Sequence, residues 1–421
     1  MQDVHFDSLT ISVDKSGAAE YEKVSYPVRY GRFHEIRTPA HIFQFNLNGE
    51  IKFVQGRGSD WPEPSEWLKR TVLDDWVYYS TGGYAGVLSF LGEYYLPNLS
   101  YASNSILGGS PFAQPEVRAA LDAWRRLRRQ LKRSARNGLP SRIEALLDRV
   151  VQNDVRKLKL NALAHQRIIG GRVSVLPPDC RHVDYEVIPV VIADGCLHNC
   201  GFCRVKSRQD FTARSRANIN AQIENFKSFY GPDLQNYNSV FLGQHDALYA
   251  DPDLLLFAAR KAHADLGVAC SNLKGPRLFM FGSTASFLTA DDRLFERLDR
   301  VYERTYINIG LESADQKTLA EIRKPVEAGH VVAAFEKMLS INRRFAGIEV
   351  SANFLFCERF SERHYRLFLE LVRDRLPRFY NKGAIYLSPW HVTDKIKARQ
   401  MFCELKRFSR LPTYLYLIQR L

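Results

Sequence analysis

The chain has no run of about eighteen uninterrupted apolar residues, the length a membrane-spanning helix requires. Its start, MQDVHFDSLTISVDKSG, is polar and strand-like and lacks the basic and apolar tracts of a secretory signal. Cysteine is sparse, seven in 421 residues with no even framework of spacings, which argues against a disulfide-stapled secreted protein and for a reducing compartment. A soluble, cytoplasmic protein is therefore expected. Acidic residues are in deficit, 46 against 59 Lys and Arg, for a net charge of +13. That excess attracts nucleic acid, anionic lipid or acidic small molecules without choosing among them.

What the chain does have is a cysteine triplet, Cys196, Cys200 and Cys203, in DGCLHNCGFCRVKS. C-x3-C-x2-C supplies three thiolates, one fewer than a closed four-cysteine site. A cubane iron-sulfur cluster held by only three cysteines keeps one iron open, able to chelate the amino and carboxylate groups of a small ligand. Two plainer readings stand beside this: a zinc knuckle completed by His198, and buried thiols with no ligand. Zinc loops more often pair two C-x2-C units, and no second C-x2-C exists here. The spacing resembles the signature of the radical S-adenosylmethionine (radical SAM) superfamily. Phe202, before the last cysteine, is aromatic as that family favours.

From about residue 183 apolar strand-like runs alternate with amphipathic helices, the pattern of parallel β/α units. Six strands are read, at 186–194, 238–243, 278–283, 306–313, 348–356 and 384–389. Asp251-Pro252 predicts one helix start, Thr289 with Asp292 another, and Ile219, Ile223 and Phe226 a one-sided helix. The resemblance implies a partial (β/α)6 TIM-like barrel, α/β in class, with the cysteine loop at the carboxyl end of its first strand. The expected organisation is an N-terminal α+β domain over 1–180 that closes over the substrate, a radical SAM core over 181–395 and a C-terminal extension over 396–421.

Within the first 180 residues, alternation in 41–55 around Asn48-Gly49 predicts a hairpin with a two-residue turn. Tyr78, Tyr79, Tyr84, Tyr94 and Tyr95 read as packing residues, with a substrate-facing loop as the alternative. A helix from Pro115 to Asn137-Gly138 buries Val117, Leu121, Trp124, Leu127 and Leu131. It turns Arg125, Arg126, Arg128, Arg129, Lys132, Arg133 and Arg136 outward. A solvated face is the plain reading of 115–136, and contact with nucleic acid or an anionic surface the alternative. One helical stretch is expected over 141–164, and a linker over 172–184 with Pro177-Pro178.

Two further strand ends carry the resemblance. Gly243-Gln244-His245-Asp246 stands where the family has a Gly-Gly-Glu-like motif that receives the amino group of SAM. The departure resembles the branch containing the elongator catalytic subunit and coproporphyrinogen-oxidase-like members. An approachable backbone at Gly243 and acceptors for an ammonium are the physical need, with Asp246 the better acceptor. At Ile307–Pro325, Glu312 and Ser313 stand where the family meets the ribose hydroxyls and the carboxylate of SAM, with Asp315 as a helix cap. Ser283, Thr284 and Ser286 offer hydroxyls at the third strand end. Cys357 displaces a glycine of the family's fifth-strand pattern and reads as a buried thiol or a hydrogen-atom donor. Cys180, Cys270 and Cys403 are isolated, so a second cluster is not expected.

The resemblance implies a [4Fe-4S] cluster, S-adenosylmethionine, and a low-potential electron donor such as a flavodoxin or ferredoxin. The implied reaction is reductive cleavage of SAM to a 5'-deoxyadenosyl radical that abstracts hydrogen. Missing cobalamin and auxiliary-cluster motifs favour a small-molecule, lipid or natural-product substrate, with RNA modification second. A nonenzymatic nucleic-acid-binding module with a structural metal site is the reading from another class.

Overall fold

The computed structural model describes residues 3–21, 29–63, 65–80, 87–97, 102–136, 138–198, 200–205, 207 and 209–421. Alternating apolar residues near the N-terminus build β1 (Val4–Phe6), β2 (Leu9–Ser16), β3 (Arg32–Arg37), β4 (His41–Phe45) and β5 (Ile51–Gly56). With β6 (Trp67–Arg70), β7 (Trp76–Tyr79) and β8 (Tyr95–Pro97) they pair in sequence order as one antiparallel sheet. The β4–β5 connection is longer than the expected two-residue turn. The Asn46 side-chain oxygen accepts from Asn48 N–H at 3.1 Å and from Glu50 N–H at 2.9 Å, which stops β4 at Phe45. An asparagine that captures backbone donors downstream makes its own turn.

Helix α1 (Val87–Leu91) is short, and α2 (Pro115–Arg133) lays Val117, Trp124, Leu127 and Leu131 against β4 and β5. The expected stop at Asn137 and the clustered Tyr84 lie outside the described residues. The single stretch expected over 141–164 is two helices, α3 (Ser141–Gln152) and α4 (Val155–Ile168). They break where the Asp154 side chain accepts from Lys157 N–H at 2.8 Å, capping α4. Tyr78, Tyr79 and Tyr95 are buried.

The stretch expected to be a linker is instead buried. A short 3-10 turn, Pro178–Val183, places Asp179, Cys180 and Arg181 inside, followed by the fully buried Asp184. Asp184 accepts from Tyr79 and Tyr30 hydroxyls, each at 2.6 Å, and from Lys69 at 2.9 Å, all three from the N-terminal sheet. A linker composition rich in Pro and charge is compatible with burial when each charge meets a partner, as these do.

The second sheet is wholly parallel, in the order β9 (Ile188–Val191), β12 (Ser239–Gly243), β13 (Arg277–Ser283), β14 (Arg304–Glu312), β15 (Ile348–Phe356), β16 (Ile385–Pro389), β17 (Thr413–Leu415). A short ribbon, β10 (Ala193–Asp194) with β11 (Thr212–Ala213), frames the cysteine loop. Among the described strands none joins β17 back to β9, so the barrel is partial. The seventh strand comes from the stretch set apart as a C-terminal extension. At three residues it is too short to carry a periodic signal.

Helices α5 (Arg216–Tyr230), α6 (Pro252–Asp265), α7 (Thr284–Thr289), α8 (Asp292–Asp299), α9 (Gln316–Glu321), α10 (Ala328–Arg344), α11 (Glu362–Leu369) and α12 (Lys395–Phe408) fill the connections. Asp251 caps α6 as expected, accepting from Asp253 and Leu254 N–H. The cap of α8 is Asp291, and Thr289 ends α7 instead.

Candidate active site at the carboxyl ends of the strands

The chain leaves β9 and turns at Gly195, φ +80°, where a Cβ would lie 2.0 Å from Asp210 O; only glycine fits. Cys196 N–H donates to Gln209 O at 3.1 Å, and Gly201 N–H to Ile322 O at 3.0 Å, so the loop is pinned at both ends. Cys196, Cys200 and Cys203, with Phe202, line one cavity of about 230 Å³ at the carboxyl ends of the strands. None of the three is joined in a disulfide among the described residues. Burial pushes Cys200 up to about 11 against the pull of Lys324, and raises Cys196. Iron binding requires the thiolates, so loading this loop releases protons. Among the described residues no three Cys, His, Asp or Glu side chains gather tightly enough for one metal ion. A zinc knuckle needs its donors around one point, whereas a cluster takes them at separate corners.

The same cavity receives His245, Asp246, Ser283 and Glu312. Asp246 is buried; its Oδ1 accepts from Ser283 N–H at 3.0 Å and Ser286 hydroxyl at 2.7 Å, while its Oδ2 has no partner. Burial raises its pKa, and the two serines pull the other way. Burial likewise lowers His245, favouring the neutral imidazole. Glu312 sits where the β14–β15 register slips between Gly310 and Glu312, with φ +65°. Such irregularities re-aim a side chain. Its carboxylate is 3.5 Å from Lys324, which also stands 5.9 Å from the Phe202 ring. Burial raises Glu312, and Lys324 opposes it. At Gly310 a Cβ would come within 2.7 Å of Glu312 Oε1, so the glycine clears room for the pair.

Three expected site residues are not among those lining the cavity. Gly243 ends β12, its carbonyl taken by Ile192 N–H at 3.1 Å, and Gln244 donates to Arg172 O at 2.9 Å. Ser313 is fully buried; its hydroxyl meets His364 Nδ1 at 2.8 Å and accepts from Asp315 N–H at 3.0 Å. One residue beyond a re-aimed glutamate, the chain has turned inward, and the serine braces α9 and α11. Ser283 does line the cavity, with its oxygen capping α7. Cys357 is buried with Arg359 N–H and His391 O as its contacts and is not among the lining residues. Cys180 is buried, and Cys270 and Cys403 are exposed.

Sequence reasoning missed the far wall. Lys324 stands next to Arg323 in the element that followed Glu312, a signal that was present. Trp390, His391, Tyr416 and Ile418 also line the cavity, from just beyond β16 and from the C-terminal segment. None of the described lining residues precedes Val175.

The family model of the Radical SAM superfamily matches residues 190–352, from β9 into β15. Residues 190–352 form a radical SAM domain. Members of that family are enzymes that work with a [4Fe-4S] cluster and S-adenosylmethionine. The donor set fits both groups: three thiols line the cavity, and with them a buried Asp246 oxygen, unpartnered among the described residues and suited to an ammonium. Among solved structures, the cobalamin-dependent S-adenosylmethionine radical enzyme OxsB with aqua-cobalamin bound matches at 11% identity and TM-score 0.34, over 46% of this chain and 27% of its own. The chain thus spans about a quarter of the length of OxsB. Methylornithine synthase (PylB) matches at 14% identity and TM-score 0.32, over 60% of this chain and 77% of its own. No curated protein matches the sequence.

Proposed function

We propose that this protein reductively cleaves S-adenosylmethionine and directs the resulting radical at a small, largely apolar substrate. The carrying observation is the cavity itself, whose lining combines the three thiols with the apolar side chains of Leu355, Trp390, Tyr416 and Ile418. A [4Fe-4S] cluster, when bound, would supply the one-electron reduction on which cleavage of SAM depends. Cys196, Cys200 and Cys203 would hold the cluster, with Phe202 packed beneath Lys324. Asp246 Oδ2 accepts the ammonium of SAM, with Gly243 and Gln244 shaping the strand end behind it. Glu312 accepts from ribose hydroxyls, and Lys324 offers a cation to the carboxylate in place of the sequestered Ser313. His245, kept neutral, is a polar contact on the same rim. The apolar wall excludes water from a reactive intermediate and fills against the substrate.

A low-potential flavodoxin or ferredoxin suits the need for an electron, since family members require a reductant. RNA is the weaker substrate. On α2, Arg128 donates to Val151 O, Arg125 pairs with Asp122, and Arg126 donates to Ala119 O; just beyond it Arg136 pairs with Asp148. Guanidiniums so engaged are less free for phosphates, and no residue of α2 lines the cavity.

The test is anaerobic reconstitution followed by iron, sulfide and 5'-deoxyadenosine quantitation. Four irons per chain with SAM cleavage, lost in Cys200→Ala, is the expected result; stoichiometric zinc without cleavage contradicts it. Charge reversal at Arg126, Arg129 and Lys132 is expected to leave cleavage unchanged. Loss of a salt-sensitive RNA complex together with activity would instead favour RNA.

A further inference from the structure

A second cavity, of about 630 Å³, opens at the other end of the barrel. Its walls are β3 (Arg32, His34), the last turn of α3 (Arg149, Gln152) and the turn at Gly231–Asn236, which leads into the amino end of β12. The cysteines follow the carboxyl end of β9, a parallel neighbour of β12, so the two cavities face opposite ends of the sheet. The proposed chemistry uses nothing here.

Among the described residues, three buried donors on side chains that line this cavity have no acceptor: Arg32 Nε, His34 Nε2 and Arg149 Nε. The histidine tautomer follows from its other nitrogen. Asp14 N–H donates to His34 Nδ1 at 2.9 Å, so the ring proton resides on Nε2. Burial, with Arg149 and Arg142 nearby, draws the ring's pKa down to about 4; the Leu47 carbonyl pulls weakly upward without forming a bond of sound geometry. His34 is thus a neutral donor, 4% exposed. Arg32 is paired with Asp14, but no ion pair engages Arg149 among the described residues. The wall therefore carries a net positive charge. The carbonyls at the end of α3 do not oppose an anion, because those of Arg149, Val151 and Gln152 accept from Asn153 N–H, Arg128 and Asp154 N–H. Buried donors without acceptors are rare in native proteins, and several on one cavity call for an oxygen-bearing ligand.

We propose that this cleft is a second ligand site, remote from the cysteines, that takes a small anion through phosphate or carboxylate oxygens. Arg149 and His34 donate to it and Arg32 adds a third contact, while Gln152 and Gln235 at the rim select for size. Such a ligand would bridge the N-terminal sheet and the barrel, since it touches elements of both.

Titration calorimetry on the reconstituted full chain tests this, with inorganic phosphate and, separately, citrate, each against chloride at matched ionic strength. Saturable binding of either anion is expected, weakened roughly tenfold or more by Arg149→Met and by Gln152→Glu. Phosphate alone identifies a phosphoryl ligand, and citrate alone a carboxylate. Heats no different from chloride, or binding that survives both substitutions, overturn the proposal. If Arg149→Met fails to fold, Gln152→Glu, on an exposed side chain, decides. SAM cleavage is read in parallel and is expected to persist in both variants, so this result stands or falls separately from the reading of the cysteine site.

Discussion

Asp246 and Lys324 carry the sharpest consequences at the scale of the residue. The unpartnered Oδ2 of Asp246 costs stability unless a donor arrives. Asp246→Asn is therefore expected to weaken SAM binding by roughly tenfold or more while iron content is unchanged, as measured by equilibrium binding on the reconstituted protein. Unaltered affinity would remove Asp246 from the site. Lys324→Met leaves Glu312 buried without its cation, which typically costs about 3–5 kcal/mol. Chemical denaturation should show that loss, and Lys324→Met with Glu312→Gln should recover much of it; a double variant as unstable as the single would deny the coupling. That the cysteines, Asp246 and Glu312 line one cavity was readable in the sequence, because each stands at the end of an apolar strand or just beyond it and strand ends of a parallel sheet converge. Ser313 was misplaced because a single irregularity in β14 swaps which of two adjacent side chains faces the mouth, and no local sequence signal marks it.

Elements set how those residues are held. In β14, Gly310 leaves space that a methyl group would take from Glu312 and Lys324. Gly310→Ala is expected to lower SAM affinity with the cluster retained; a variant that binds SAM normally would mean the pair is not needed. Helix α11 is clamped to β14 and β15 by His364, between the Ser313 hydroxyl at 2.8 Å and Leu355 O at 3.1 Å. Burial lowers that imidazole to about 4. The unfolded chain, near 6.5, takes up a proton that the folded one refuses, so stability is full above about pH 6.5 and falls as pH drops toward 4. The loss amounts to up to roughly 3 kcal/mol for a shift of this size. His364→Gln should flatten that acid limb in denaturation curves taken across the range, even with a lower plateau; an unchanged slope contradicts the assignment. Five of the six strands read from sequence match β12 to β16 within about two residues, because a buried parallel strand is one continuous apolar run. The first splits after Val191 into β9 and β10, where the chain bends toward the cysteine loop. Helix ends were less readable, since the capping residue is chosen by geometry among several adjacent Asp, Asn and Thr side chains.

For the whole molecule, the seam between sheet and barrel is ionic and buried. Asp184 and Glu186 from the barrel meet Lys69 and Lys52 from the N-terminal sheet. Burial would raise Glu186, yet the two lysines hold it down at about 2. The two layers should therefore unfold as one cooperative unit by calorimetry. Asp184→Asn, which removes one of the two carboxylates that Lys69 meets, should lower the stability of both layers together. Two independent transitions in the unaltered chain would contradict the seam. Composition pointed to a linker here because prolines and charges usually mark exposed chain, and only the folded arrangement reveals the partners that permit burial. The central claim is that the cysteine loop carries an open-iron cluster that SAM engages. Electron paramagnetic resonance of the anaerobically reconstituted, dithionite-reduced protein, with and without SAM, tests it most directly. A reduced-cluster signal that shifts on adding SAM is predicted, and is expected to vanish in Cys200→Ala. A signal indifferent to SAM, or no cluster signal after full reconstitution, would contradict the account.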